Sequence, residues 1–383
     1  MLLKKNLRAL VPFIIVTILL SACSKGEKPA LTINGHKISQ DIYAYYLDKV
    51  ISNPSDYGLD FSSDESDRKN EAENLCKEYA AVNENFDKLG LSLTVSDKAS
   101  VSAKVSDLWK VFSVYYTSRG ITKQTLTNAE TFNAVKGSLF RYYFDSEGTT
   151  AVNKDGKAAV NKNSKTVADE TDIKNYFYEN YVAYRSINGY LTKTDEDGNT
   201  VDLTAGEIND LTLRFKAMAK RIASGDSIEE VGADYAAEQG NLTANTDINI
   251  IKRDTSAYPA GFFEEVEAII TAPEKAGTQK NTGSATTTAT SPETTVQKPA
   301  KTGTANPKII MLEDYIFLVY REDITKIDAS YYQSYRTECL ESLKDEEMDS
   351  MIKSFAKAYK VEPNNEVINS IYEKLTDLDN QKS

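Results

Sequence analysis

The sequence has few of the residues on which most enzymes depend for acid–base and metal chemistry. Its 383 residues include one histidine, His36, and three cysteines. Because histidine is the side chain that changes charge near neutral pH, its scarcity argues against most general acid–base schemes. His36 and the distant cysteines Cys76 and Cys339 cannot supply the four ligands of a usual zinc site. There is also no Gly-rich phosphate loop and no Ser-His-Asp set, so we expect neither a metal nor a cofactor.

The chain has no surplus of positive charge, and it has no long hydrophobic run after its first residues. The formal net charge is −12 at pH 7, which repels nucleic acid and anionic lipid headgroups and argues against both as partners. A transmembrane helix needs about 20 predominantly apolar residues, and no later segment reaches that length. Cys76 and Cys339 fit either a disulfide of an extracytoplasmic protein or two buried thiols on helical apolar faces, and we favour the thiols.

The N-terminus has the pattern of a secretory signal. A basic segment that ends at Arg8 precedes an apolar run from Leu10 to Leu20, which is too short to span a bilayer. Leu20-Ser21-Ala22-Cys23 follows directly and looks like a bacterial lipobox, in which the cysteine is lipidated and begins the mature chain. An ordinary signal peptide with an incidental cysteine is the alternative. We predict a signal peptide at 1–22, a lipid on Cys23, a linker at 23–29, and an extracytoplasmic protein held at the membrane by that lipid.

Helical patterns dominate the residues after this linker. A brief strand at 30–35 ends in an Asn-Gly turn, and amphipathic stripes follow, with apolar residues at spacings of three and four. The stripes include 72–89, 101–115 and 132–142. Such stripes need one another for burial, so residues 30–144 are predicted to form a helical domain. The polar tract at 145–168 has no periodicity, which is typical of an exposed linker.

Strand and helix patterns mix at 169–325. An aromatic-rich helix precedes a strand at 183–191, two helices follow between 208 and 239, and further strands lie near 248–251 and 308–320. Residues 271–307 contain no aromatic side chain, and Val296 is their only large aliphatic one. They cannot bury enough surface to offset the entropy of ordering, so we predict a disordered insertion in one loop of this domain.

The C-terminus is predicted to be one long helix at 329–359 and a short helix after Pro363. The long stripe exceeds what a strand-and-helix domain covers, so part of 326–383 should pack on the N-terminal helices. The predicted fold class is therefore α+β and predominantly helical. It comprises an N-terminal helical domain completed by the C-terminal helix, and an α/β domain that carries the disordered insertion.

This order of elements resembles the SurA/PrsA group of extracytoplasmic foldases, which carry a parvulin-type peptidyl-prolyl isomerase domain. The likeness spans nearly the whole mature chain and is carried by four stretches. They are the opening strand and turn TINGHKIS at 32–39, the helix leading into the parvulin domain at 169–180, the segment GDSIEEVGADYA at 225–236, and the closing half from 263–270 to the strand after the insertion. The third is similar to the family's G-x-x-F-x-x-L-A-x-x-Y-S helix. The resemblance implies a SurA-like N-terminal domain and a degenerate parvulin-like domain.

The resemblance also implies where an isomerase site would lie. The family's two histidines fall on Ser186 and Tyr315, and its cysteine or aspartate falls near Glu238. Both histidines are missing, so we predict that the domain is largely or wholly inactive. An exposed acid at a helix end is the simpler interpretation of Glu238. The pocket for a proline or a client segment would be lined by Phe262, Phe263, Tyr315 and Phe317.

The leading functional hypothesis is a foldase or holdase, lipid-anchored to the outer face of a bacterial cytoplasmic membrane, that binds unfolded translocated polypeptides. One alternative is a weakly active isomerase that uses Glu238, Ser186 or Tyr315 as substitute polar groups. A second alternative is a small-molecule-binding lipoprotein, which requires two α/β lobes. Four tyrosine doublets are a candidate client surface, because only one ring of each is expected to face the core. They are Tyr45-Tyr46, Tyr115-Tyr116, Tyr142-Tyr143 and Tyr331-Tyr332.

Overall fold

A computed structural model of the chain describes residues 28–145, 151–159, 161, 166–240, 245–269 and 307–380. The predicted signal peptide, the predicted lipid attachment at Cys23 and the predicted insertion up to residue 306 lie outside the described residues. Within the described ranges, no helix combines the length and the hydropathy that crossing a bilayer requires.

The elements alternate between long helices and short strands. The helices are α1 (Gln40–Ser52), α2 (Glu65–Lys88), α3 (Val95–Ser118), α4 (Lys123–Phe144), α5 (Glu170–Asn180), α6 (Ala205–Ala223), α7 (Ile228–Glu238), α8 (Phe262–Glu267), α9 (Ala329–Lys357) and α10 (Asn365–Asn380). The strands are β1 (Leu31–Ile33), β2 (His36–Ile38), β3 (Leu91–Ser92), β4 (Ala151–Asn153), β5 (Ala158–Ala159), β6 (Tyr181–Tyr190), β7 (Thr192–Thr194), β8 (Thr200–Asp202), β9 (Asn249–Lys252), β10 (Lys308–Leu312), β11 (Tyr315–Glu322) and β12 (Val361–Pro363). The predominantly helical α+β class predicted from the sequence is confirmed.

The chain divides into two compact units. The helical unit comprises Met1–Asp169 together with Leu340–Ser383, and the sheet unit comprises Glu170–Cys339. The division falls inside α9, whereas the sequence patterns placed it ahead of that helix, at residue 326. The N- and C-terminal parts of the helical unit meet in the sheet β12-β1-β2, where β12 pairs antiparallel with β1. Pro363 ends an edge strand there, which is the position in a sheet that tolerates proline.

Helix α1 is the centre of the helical unit. Nine of its 13 residues are buried, because α2, α4 and α10 all contact it. Tyr45 and Tyr46 are both buried, and their rings make an edge contact at 5.4 Å between centroids. The expectation that one ring of each doublet reaches solvent is therefore wrong for this doublet. Because other helices contact α1 on several sides, rings that point in different directions from it are both buried.

Among the described helices, four begin with a capping box, which fixes the residue at which each helix starts. In α3 the Thr94 hydroxyl accepts from the Asp97 backbone N–H, and the Asp97 carboxylate accepts from the Thr94 N–H. The same exchange opens α4, α6 and α7, with Thr122, Thr204 and Ser227 as the capping residues. Each box satisfies backbone donors that the first helical turn otherwise leaves unpaired.

Part of the tract predicted to be an aperiodic linker is ordered. Strands β4 and β5 form a hairpin within 145–168, and β4 also pairs with β3. Ala151 is fully buried and Gly156 takes a positive φ of 73° in the turn. A hairpin of two- and three-residue strands is too short to show the alternation by which a strand is recognised, and its pairing with β3 stabilises it.

The sheet unit is built on four antiparallel strands in the order β10-β11-β6-β9. Helices α6 and α7 cover one face, where Ile187, Ile316 and Leu318 pack against Phe215 and Val231. Helix α8 covers part of the other face. The predicted long strand, the two helices after it and the strands near 248–251 and 308–320 all appear. Helix α8 did not follow from the sequence patterns, and an Asp-Gly turn joins β7 to β8.

Both cysteines within the described residues are buried free thiols. This confirms the preference for thiols over a disulfide. Cys76 lies in α2 and Cys339 in α9.

Candidate functional site

The pairing of β6 with β11 sets which side chains share a face of the sheet unit. Tyr190 lies opposite Tyr315, Asn188 opposite Phe317, and Ser186 opposite Val319. Residues directly opposite in a sheet point to the same face, and residues two apart on a strand do so as well. Ser186, Asn188 and Tyr190 therefore share the face that carries Tyr315 and Phe317. It is the face that α6 and α7 do not cover.

Five aromatic rings form a continuous series on this face, and we call them the aromatic row: Tyr190, Tyr315, Phe317, Phe262 and Tyr258. Successive ring centroids are separated by 5.5, 5.6, 4.6 and 5.1 Å in that order. These separations lie within the range in which aromatic pairs attract one another. The row is therefore a packed unit that spans two strands, helix α8 and the loop before it.

The aromatic row changes from buried to exposed along its length. Phe262 and Phe317 are buried, Tyr315 is half-buried, and Tyr190 has 65% of its surface exposed. The buried end is held by α8 and the residues after it, because the Arg321 guanidinium donates to the carbonyl of Glu267 and, at 3.0 Å, to the carbonyl of Ile269. Among the described residues, Tyr315 is the only aromatic residue whose ring contacts Tyr190 at the exposed end. A ligand segment can thus stack on the open end of a preformed hydrophobic surface.

The aromatic row carries no charged side chain. Burial, and then the neighbouring Tyr258, raise the pKa of Tyr184, which makes a 5.4 Å edge contact with Phe262, above its ordinary value. A tyrosine hydroxyl is already protonated at neutral pH, and the raised pKa keeps that of Tyr184 protonated further into the alkaline range. On this side of the sheet the Arg253 guanidinium lies 4.7 Å from the ring centroid of Phe263, beside the aromatic row. It pairs with the Glu267 carboxylate at 2.6 Å, which compensates its charge. The surface suits apolar and prolyl groups better than ionic ones.

The structure brings all four residues of the predicted pocket into one cluster. Phe262, Phe263 and Phe317 belong to the core on this face, and Tyr315 packs against it. Sequence reasoning missed Tyr184, Tyr190 and Tyr258. The first two were detectable, because they follow the period of two along the predicted strand. Tyr258 lies in an irregular loop before Pro259 and had no periodic signal.

The three candidate polar groups of an isomerase do not meet. Ser186 is buried and shares its face with Tyr315. Ser186 lies four positions before Tyr190, the partner of Tyr315, which corresponds to about 14 Å along β6. Glu238 ends α7 on the opposite face, where its carboxylate is more than half exposed and lies 3.8 Å from Arg214. No proton-transfer chain among these three side chains follows from this arrangement.

The opposite face depends on one close approach. At Gly189 an added Cβ would lie 3.0 Å from Ile316, 3.1 Å from Phe215 and 3.1 Å from the Tyr235 hydroxyl. Glycine at this position lets α6 and α7 pack directly on the sheet. Arg185 strengthens the same contact, because it donates to Glu229 of α7 at 2.6 Å and to Glu322 of β11 at 2.7 Å.

The helical unit exposes a second apolar surface, the apolar strip of α3, which consists of Val111, Phe112 and Val114. Their exposed fractions are 69%, 47% and 84%. Phe112 departs from helical geometry, with φ −115° and ψ 15°, so α3 is kinked there. In a helix of 24 residues only Val105 is fully buried. Val111 and Val114 are three positions apart and are therefore neighbours on the helix surface, where exposed apolar side chains are available for contact with other molecules.

The fold and this site define a predominantly helical α+β protein with an aromatic face, on which the described candidate groups Ser186, Tyr315 and Glu238 do not assemble into an acid–base site. No family model matches the chain, and no curated protein matches its sequence. Among solved structures it is similar to foldase protein PrsA from Lactococcus lactis, with 12% identity and a TM-score of 0.37, over 91% of this chain and 99% of that chain. It is also similar to foldase protein PrsA from Streptococcus pneumoniae, with 11% identity and a TM-score of 0.30, over 87% of this chain and 88% of that chain. At these scores neither the fold nor the function of this chain follows from the likeness.

Proposed function

We propose that this protein is a lipid-anchored extracytoplasmic foldase or holdase that binds apolar and proline-containing segments of unfolded translocated proteins. The observation that carries the proposal is the aromatic row, which presents an exposed end at Tyr190 and is supported from beneath by buried rings. Tethering rests on the signal pattern and Cys23 in the sequence.

An aromatic surface of this kind suits unfolded clients for a physical reason. Tyrosine rings offer large flat contact areas and lose little conformational freedom on binding, because they have only two side-chain torsions. Proline-rich segments prefer the polyproline II conformation before they bind, so they lose less entropy than other extended segments when they enter an aromatic groove. Stacking on an aromatic ring also does not depend on one particular client sequence, as a protein with many clients requires.

The apolar strip of α3 gives the helical unit a surface for the same class of client. Burying Val111, Phe112 and Val114 against an unfolded segment removes apolar area from water, which stabilises the complex in proportion to that area. The small-molecule alternative is less well supported, because it required two α/β lobes. In the described part of the helical unit no strand is longer than three residues.

We propose that binding, rather than catalysis, is the main activity of the sheet unit. Rotation about an X-Pro bond has a barrier of about 18–20 kcal/mol, and lowering it needs groups arranged around the rotating amide. Weak isomerase activity remains a second candidate, since Ser186 places one buried hydroxyl on the face of the aromatic row.

The binding proposal is tested with the soluble form lacking residues 1–23 and a fluorescent peptide with an apolar residue before proline. The double variant Tyr190→Ser/Tyr315→Ser should weaken peptide binding about tenfold or more, because each ring contact contributes roughly 1 kcal/mol. Tyr178→Ser is the matched control, since Tyr178 is an exposed tyrosine of the sheet unit outside the aromatic row. Aggregation of an unfolded client should be suppressed by the parent and control and less by the double variant. Equal losses in control and double variant would reject the aromatic row as the binding surface.

The isomerase candidate needs a separate measurement. The rate of cis–trans isomerisation is measured for a set of peptides that differ in the residue before proline. Each peptide is tested with the parent protein, Ser186→Ala and Glu238→Ala. We expect no acceleration by the parent, or a small one that only Ser186→Ala removes. Acceleration that Glu238→Ala removes would contradict the placement of the site on the aromatic face.

A further inference from the structure

The helical unit contains a cavity that neither client surface uses. It lies between α2, α3 and α4 and has a volume of about 490 Å³. Cavities of roughly 300–1,000 Å³ are the usual size of small-molecule sites. The described residues that line it all belong to the helical unit, so its shape is a property of that unit alone.

The cavity follows one face of α4 and its wall is mostly apolar. Phe86, Val105 and Val135 line it and are buried, and Val101 and Leu93 add further aliphatic surface. On α4 the lining residues recur every four positions from Lys123 to Val135, so they follow one face of the helix. Twelve residues of α helix rise about 18 Å. A slot of this length and lining suits an aliphatic chain.

The two ends of the cavity differ in charge. Helices α3 and α4 run antiparallel, since Arg141 near the end of α4 lies 3.2 Å from Asp97 near the start of α3. Lys98 and Asp87 therefore share one end, where their charges oppose each other. Lys123, the first residue of α4, lies at the other end, where no acidic side chain lines the cavity. Among the described residues Lys123 has no ion pair, and it is exposed at the rim.

The hydroxyl groups near Lys123 are occupied as donors within their own helices. Thr127 donates to the Lys123 carbonyl at 3.0 Å, and Ser106 donates to the Ser102 carbonyl at 2.9 Å. The ammonium group of Lys123 is the charged donor at this end of the cavity, where it can fix a polar head. An ammonium group binds an anion more strongly than it binds a neutral acceptor. An anionic head is therefore complementary to this end of the slot.

We propose that the cavity binds a linear amphiphile of the fatty-acid class, with its aliphatic chain between α2, α3 and α4 and its carboxylate at Lys123. The exposed position of Lys123 keeps the charged head in contact with water while the chain is buried. Lys123 is a local cation, and no acidic side chain lines its end of the cavity, so this end favours an anion over a cation of equal length despite the net negative charge of the chain.

The test is titration calorimetry of the soluble form lacking residues 1–23 with octanoate, decanoate and dodecanoate below their micelle concentrations. We expect one site per chain and an affinity that rises about fourfold per added methylene group. Dodecyltrimethylammonium should bind at least tenfold more weakly than dodecanoate. Equal affinity for the cation, or affinity independent of chain length, would overturn the proposal.

Two variants and a control locate the ligand. Lys123→Gln should weaken dodecanoate binding about tenfold and leave dodecanol binding unchanged. Lys110→Gln, an exposed lysine of α3 that does not line the cavity, should change neither. Ser102→Phe fills the slot from an exposed position and should abolish binding of both ligands while circular dichroism stays unchanged. Equal losses in the two lysine variants would overturn the assignment.

One competing occupant is the apolar side chain of a client peptide. If a client peptide displaces dodecanoate and itself loses affinity in Ser102→Phe, the slot belongs to clients and the amphiphile proposal is wrong. If the peptide binds equally to parent and Ser102→Phe while dodecanoate binds only to the parent, the proposal stands.

Discussion

At the residue scale, Gly189 shows how one missing Cβ places the aromatic row. Phe215, Ile316 and the Tyr235 hydroxyl lie within 3.1 Å of where that Cβ would be. Because α6 and α7 press on the sheet here, β6 is held in register with β11, and the register decides that Tyr190 lies opposite Tyr315. The binding face thus depends on packing behind it.

We therefore expect Gly189→Ala to destabilise the protein by about 1–3 kcal/mol, since inserted methyl groups in a packed core force neighbours to move. Gly206→Ala is the matched control. Gly206 lies in the first turn of α6, where the nearest side-chain atom is 4.0 Å from the added Cβ. There alanine should be neutral or stabilise by up to about 1 kcal/mol, because it restricts the unfolded chain. The free energy of unfolding of the two variants is measured in urea. Similar destabilisation of both would contradict the close-packing argument.

Cys76 and Cys339 allow a second prediction at this scale. Burial raises the pKa of Cys339 to about 11 and raises that of Cys76 above its usual range. A thiol reacts as its thiolate, so both should resist labelling at pH 8 in the folded soluble form and both should react on unfolding. Ser100→Cys, at an exposed position of α3, should react at once. Rapid labelling of either native cysteine without unfolding would contradict the burial of that thiol.

The sign of the pH effect follows from the same shift. Between about pH 9 and 11 the folded chain keeps thiol protons that the unfolded chain releases. Stability should therefore fall as pH rises through this window, and it should fall less in Cys339→Ala.

At the element scale, Arg119 joins three helices of the helical unit. It is 2% exposed at the C-terminus of α3, donates to Asp48 of α1 at 2.5 Å, and also pairs with Asp379 of α10. Its guanidinium stacks on Tyr115 at 3.8 Å, and the Tyr115 hydroxyl donates to Asp48 at 2.9 Å. Burial raises the pKa of Asp48, although the neighbouring Arg119 guanidinium opposes that shift.

Removing one partner of such a buried pair leaves a charge without compensation. Arg119→Met should destabilise the helical unit by about 3–5 kcal/mol, and Asp48→Asn in the same chain should recover part of that loss. Arg221→Met is the control, since Arg221 forms exposed pairs with Asp226 and Asp234 and should cost about 0–1 kcal/mol. The loss of stability in each variant is measured from the midpoint of its denaturant unfolding curve. If the double variant is no more stable than Arg119→Met, uncompensated charge is not the cause.

At the scale of the whole molecule, the two units have separate hydrophobic cores. The core around α1 lies in the helical unit, and the two faces of the four-stranded sheet carry the cores of the sheet unit. Units with their own cores unfold as separate cooperative blocks when the interactions between them are weaker than those within them.

Calorimetry of the soluble form should accordingly show two transitions. Gly189→Ala should lower the midpoint of one, and Arg119→Met should lower the midpoint of the other. Each kcal/mol lost corresponds to about 2–4 °C for units of this size. A single transition lowered by both variants would contradict independent unfolding.

Much of the fold was predictable because its information is local. The stripes at spacings of three and four marked α2, α3, α4, α6 and α9, and the Asn-Gly turn marked the end of β1. The predicted pocket residues met because Phe262, Phe317 and Tyr315 lie on elements that the patterns had identified. Ser186 and Glu238 did not meet, because the face to which α7 packs depends on contacts that no short window of sequence contains.

The sequence by itself determined the chemistry available to this protein and the kinds of element in it. One histidine and no phosphate loop argue against most general acid–base and phosphate-binding schemes, and capping residues and apolar periodicity set where helices begin and which side is apolar. Only the tertiary structure decided that β12 pairs with β1, that both Tyr45 and Tyr46 are buried, and that three helices leave a slot beside Lys123. These outcomes depend on free energies summed over residues far apart in the chain, and periodicity reports only on neighbours.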